Sequence, residues 1–174
     1  MEMRPKLHTP PDLQLLVNTV MPWAEARLQE QGQIPAAAAW LCRGDPEPKF
    51  RSADPAEGFA GQSVAQQEAM LVTQLQGPWQ RGELAAVLLA APVFFGRSGS
   101  GERSLAIRLH VEAQNGAQSE AQNAVQTGSC ADILMPYRIR TGWRWRGTAR
   151  NRVHFSHPVA QESDSRFQDS PAPL

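Results

Sequence analysis

Between Arg138 and Arg152 the chain carries six arginines and no carboxylate, and within that window Trp143 and Trp145 alternate with Arg144 and Arg146. Guanidinium groups form paired hydrogen bonds with carboxylates and phosphates, and indoles either stack on bases or anchor protein interfaces. The chemistry on offer is recognition of an acidic protein or of a single-stranded nucleic acid. The spacing chooses between them. Strict alternation is the period of a half-buried strand, which turns both tryptophans to the core and the arginines outward. Indoles so placed are hidden from whatever the arginines meet, which favours an acidic protein over stacked bases. Arg138, Arg140, Arg144 and Arg146 are the candidate binding residues. The period favours a purely internal reading over both forms of recognition, in which the tryptophans pack on the sheet and Arg144 and Arg146 pair across strands with Glu112 or Asp132.

Other reactive side chains do not converge on a recognisable site. His154 and His157 in HFSHP supply at most two metal ligands, and on a strand their side chains fall on opposite faces, so no metal site is expected. His110 and Glu112 share one face of a strand pattern, as a base oriented by a carboxylate would, but that spacing does not require contact and reads as ordinary surface polarity. Glu25, Glu57, Glu68, Glu83 and Asp132 lie in separate elements, and no spacing singles out a pair for acid–base work. The run GRSGSG, Gly96 to Gly101, lacks the Lys-Ser/Thr and the helix of a phosphate loop and reads as a connection between strands. No catalytic residue and no cofactor is implied.

Composition narrows the partners. The 17 basic and 17 acidic residues cancel, so the molecule lacks the global positive field of a general nucleic-acid binder. The basic residues include only two lysines, Lys6 and Lys49. Cys42 and Cys130 are far apart and outside any CxxC framework, which points to buried thiols. The N-terminus has no apolar signal core, and the longest apolar run, Leu84 to Phe95, is too short to cross a membrane as a helix. A soluble protein of the reducing cytoplasm is expected. The RGD tripeptide at Arg43 to Asp45 falls in a turn-rich stretch and reads as part of that turn.

The elements that must position these residues follow from periodicity. Leu13, Leu16, Val17, Val20, Ala24 and Leu28 predict a first helix ended by Gly32, with a kink or break near Met21 caused by Pro22. A hairpin is predicted over 37–42 and 49–53. Ser63 and Gln66 form a capping box that opens a second helix, reaching Arg81. The run 84–95 reads as a buried central strand. SLAIRLHVEA is a strand with Leu105, Ile107, Leu109 and Val111 on the core and His110 and Glu112 on a wet face. ADILMPYRIR is a second such strand, placed at an edge or bulge by Pro136. An edge there would be a place for two copies of the chain to pair. The Gln-rich stretch 114–129 is a peripheral excursion, and Val153 and Phe155 continue the alternation. The expectation is an α+β fold with two main helices on a largely antiparallel sheet of about five to seven strands. Its order is α-β-β-α-β-β-β, then one or two short strands, in one domain over residues 1–160 with a loosely held tail over 161–174.

The helix segment VMPWAEARL, the strand ADILMPYRIR and the following RVHFSHPVAQE together resemble small bacterial α+β proteins, in which a Met-Pro-aromatic-Ala helix leads into a hairpin and a late strand ends in Pro-Tyr-Arg. In scale and layout such proteins are similar to immunity and adaptor proteins. The resemblance implies a non-enzymatic module acting through a protein partner; the arginine–tryptophan stretch makes that partner acidic and leaves single-stranded nucleic acid as an alternative ligand, and the Pro136 strand edge leaves a second copy of the chain open. A small-ligand binder or enzyme with a pocket between helix and sheet is the other reading.

Overall fold

The computed structural model describes residues 11–96, 103–114, 129–140 and 151–167. In chain order these form α1 (Pro11–Gln31), β1 (Ala37–Cys42), β2 (Lys49–Ser52), α2 (Val64–Gln80), β3 (Leu84–Gly96), β4 (Arg103–Ala113), β5 (Ser129–Arg140), β6 (Arg152–Phe155) and β7 (Val159–Glu162). The strands make one antiparallel sheet in the order β2-β1-β3-β4-β5-β6, with β7 also paired to β5. This is the expected α+β fold, down to the two short strands at its end.

The helices lie on opposite faces of the sheet. The α1 stripe Leu16, Val20, Ala24 and Leu28 packs on Ala37, Ala39, Leu88, Ile107 and Leu109. On the other face Leu71, Leu75 and Trp79 of α2 pack on Ala36, Ala38, Val87 and Leu89. Because successive side chains of a strand point to opposite faces, β1 and β3 must be apolar at every position, and the alanine-rich AAAWLC and the run beginning LAAVLLAA meet that demand. Small alanines in β1 also let both helices approach closely.

Local signals set the helix ends. Ser63 and Gln66 exchange side-chain-to-backbone hydrogen bonds in a complete capping box. Gly32 closes α1 with φ 74° and an N–H donated to Leu28 O at 3.0 Å, a left-handed position that other residues rarely adopt. Two further bonds reach the same helix end from the start of β6: Asn151 N–H to Gln29 O at 3.0 Å and Asn151 Nδ2 to Leu28 O at 3.3 Å. The predicted disruption at Pro22 does not divide α1, which runs through it as one helix.

Two strand positions differ from expectation. Pro136 does not place β5 at an edge, because β4 pairs along one side of β5 while β6 and β7 share the other. Pro136 falls where β6 gives way to β7, and Ser156 N–H donates to its carbonyl at 2.8 Å. Backbone N–H and C=O of one strand residue point the same way, so the missing N–H of Pro136 is directed at this junction, where no ladder bond is lost. The pairing of two copies through an open β5 edge is thereby withdrawn. The second difference is the outer face of β4: Ala106, His110 and Glu112 are buried rather than wet. Residues past β7 cover it, and Phe167 is buried with its ring 5.3 Å from that of Trp79.

Candidate functional site

The face of β4 and β5 turned away from α1 is divided into a closed half and an open half. In the closed half the β4–β5 register sets His110 opposite Asp132. The ring is bound from both sides, Nδ1 lying 2.7 Å from Asp132 Oδ1 and Nε2 2.7 Å from Glu112 Oε1. His110 is 1% exposed and Glu112 2%. The contact that spacing alone left open is therefore made, and in the interior.

Residues 163–167 form the cover. Ser163 Oγ lies 3.3 Å from His110 Nδ1, and Ser165 Oγ donates to Glu112 Oε2 at 2.7 Å. The backbone N–H of Arg166 donates to Glu112 Oε1, and the Arg166 guanidinium pairs with Glu68 of α2. Glu68 also accepts from Arg108 Nη2, at 2.6 Å to each carboxylate oxygen. Gln76 Nε2 holds Phe167 O at 2.8 Å. Three carboxylates from three elements, Glu68, Glu112 and Asp132, thus converge on Arg108, His110 and Arg166. No sequence motif joins them; only the strand register and the tail that folds back bring them together.

With both ring nitrogens engaged and the ring itself buried, this cluster ties the C-terminal segment to the sheet. Cys130 belongs to it as well, its thiol donating to Ser163 O at 3.2 Å. Burial pushes the Cys130 thiol above its ordinary titration range, and the neighbouring Glu112 carboxylate adds to the shift.

The open half holds the predicted binding residues. Arg138 and Arg140 keep the parity of Asp132 along β5, opposite to the core residues Tyr137 and Ile139, and both are exposed. Across the next ladder Arg138 faces His154 and Arg140 faces Arg152, also exposed. Among the described residues no carboxylate pairs with Arg138, Arg140 or Arg152. Glu112 and Asp132, the two acids named as cross-strand partners for Arg144 and Arg146, each contact His110. Arg144 and Arg146, with Trp143 and Trp145, lie outside the described residues, as do the Gln-rich stretch 115–128 and the glycine-rich residues 97–101.

Among the described residues no cluster of three or more His, Cys, Asp and Glu could hold a metal ion, and no helix is long and apolar enough to cross a membrane. Comparison with protein families, with curated proteins and with solved structures finds no match to this chain.

Proposed function

We propose that this chain is a non-enzymatic protein-interaction module that binds an acidic protein surface on the cationic ladder of β5 and β6, in the manner of an immunity or adaptor protein. The observation that carries the reading is the pairing of Arg138 with His154 and of Arg140 with Arg152 on an open sheet face without a neutralising carboxylate among the described residues. Like charges directly opposite across strands are unfavourable in the free protein, and an acidic ligand reverses that sign. Arg144 and Arg146 are the other two proposed binding residues.

Two further considerations select the partner. A two-fold pairing of this face with itself would set cations against cations, so a second copy is disfavoured as the ligand. The zero net charge removes the long-range field on which nucleic-acid binding depends, which favours a discrete acidic patch over a polyanion. The free thiols of Cys42 and Cys130 suit a reducing cytoplasm as the place of action.

The test is parallel affinity capture, from cells that naturally make the chain, with the wild-type protein and the Arg138→Glu/Arg140→Glu variant. The expected result is a specific protein with an acidic surface that the wild type retains and the variant loses. Identical retention by both, or no specific protein with either, overturns the reading.

A further inference from the structure

A cavity lies at the other end of the sheet, between α2 and the β1–β2 hairpin. The cavity there has a volume of about 660 Å³, within the range that holds a small organic ligand. Its floor is apolar, made by Ala38 and Leu84 of the sheet and by Leu71 and Leu75 of α2, and Trp40 and Pro78 form walls.

The polar groups at its rim are unequal in charge. Glu83 reaches it, but that carboxylate is taken by a forked pair with Arg81, with Nε to Oε1 at 2.7 Å and Nη2 to Oε2 at 3.1 Å. Arg43 and Arg51 also line the cavity, and each donates to a side-chain amide: Arg43 Nη2 to Gln114 Oε1 at 3.1 Å, and Arg51 Nη1 to Gln74 Oε1 at 2.8 Å. Among the described residues neither is paired with a carboxylate. The Arg51 guanidinium carbon is also 5.7 Å from the centre of the Phe59 ring, which helps fix its orientation. An amide partner holds a guanidinium in place without neutralising it, so the rim carries two positioned positive charges that no carboxylate among the described residues pairs, above an apolar floor.

We infer that this cavity binds a small amphipathic carboxylate, its apolar body on Leu71, Leu75 and Leu84 and its carboxylate between Arg43 and Arg51. Charge complementarity selects the anion, and the apolar floor selects a body of hydrocarbon or aromatic character over a hydrophilic acid. The site is independent of the arginine ladder, since it stands on β1, β2 and α2.

Both thiols are half-buried rather than buried as expected; Cys42 lines the cavity, whereas Cys130 donates to Ser163 O, so the chain has one thiol reporter in the site and one outside it. The experiment measures iodoacetamide labelling of each thiol in the full chain during titration with decanoate, and separately with decanol of equal chain length. Decanoate is expected to protect Cys42 saturably and to leave Cys130 unchanged, with decanol weaker by about tenfold or more, the scale of hydrogen bonds to a charged group. The Arg43→Gln/Arg51→Gln variant, with an unchanged thermal melt, is expected to lose that discrimination, while Arg138→Glu/Arg140→Glu is expected to bind decanoate as the wild type does. Equal protection by decanol, unaltered discrimination in the Arg43/Arg51 variant, or no protection of Cys42 at millimolar decanoate overturns the proposal.

Discussion

Arg140 stands directly opposite Arg152 across the β5–β6 ladder. Side chains so placed point to the same face at close range, and like charges there oppose pairing of the strands. The four-residue strand β6 is nevertheless held: Val153 and Phe155 pack with the α1 core, and Asn151 bonds the end of α1. The contacts that hold this corner lie on its inner face and at the end of α1, while its outer face carries the exposed arginines.

That separation has a direct consequence for stability. Arg152→Glu converts the repulsive pair into an attractive one, so its melting temperature should equal or exceed that of the wild type, while binding to any acidic ligand falls. A thermal melt beside a binding titration checks both. A variant that is destabilised and still binds at full strength contradicts the division of labour between the two faces.

His110 is the keystone of the closed half. His110→Ala removes the shared imidazole partner of Glu112 and Asp132, and loss of one partner from a buried charged cluster typically costs about 3–5 kcal/mol. Urea unfolding should show a midpoint lowered accordingly. A loss below about 1 kcal/mol, the scale of a surface contact, would mean that the cluster does not hold the sheet and tail together.

Phe167 tests the tail by a different route, because its contribution is apolar. Its ring is buried against Trp79 of α2, and truncation of a buried phenylalanine to alanine costs about 3–5 kcal/mol. Phe167→Ala should therefore destabilise the chain and speed iodoacetamide labelling of Cys130, whose thiol is held by Ser163 O of the same segment. Unchanged labelling would show that residues 163–167 do not act as a cover.

How much of this was legible in the sequence depends on where the determining contacts lie. Both helices, the Ser63–Gln66 cap, the hairpin and the long strands could be read because their causes are local: apolar periodicity, capping residues and breakers. The buried face of β4 could not. His110 and Glu112 alternate with Leu109 and Val111 just as exposed polar residues would, and only the return of Ser163, Ser165 and Phe167 from far along the chain converts that face into interior. Pro136 misled for a related reason, since a proline in a strand is equally compatible with an edge and with the gap between two short strands that share one side of β5. The ladder itself was half legible: Arg138 and Arg140 were picked out by charge and spacing, but their cross-strand neighbours His154 and Arg152 needed the register.

Tyr137 offers a titration that reads a single group, since it is the only tyrosine in the chain. It is buried between β5 and the α1 core, and burial raises its pKa above the ordinary value of 10.0. A raised pKa means that the folded state holds the proton more tightly than the unfolded one. Its contribution is therefore complete below the ordinary tyrosine range and is lost as pH rises through the folded value. Ultraviolet titration should place phenolate formation higher in native than in urea-unfolded protein, with stability declining across that window. Coincident titrations would contradict the burial of the ring.

The cationic ladder is tested most directly by nuclear magnetic resonance of the isotope-labelled chain titrated with poly-L-glutamate, a protein-like acidic ligand, and in parallel with oligothymidylate. The account predicts saturable shifts with polyglutamate centred on Arg138, Arg140, Arg152 and His154, weakened by salt and abolished in Arg138→Glu/Arg140→Glu, with oligothymidylate binding no more tightly. Shifts centred elsewhere, shifts that survive the charge reversal, or a clear preference for oligothymidylate would contradict it.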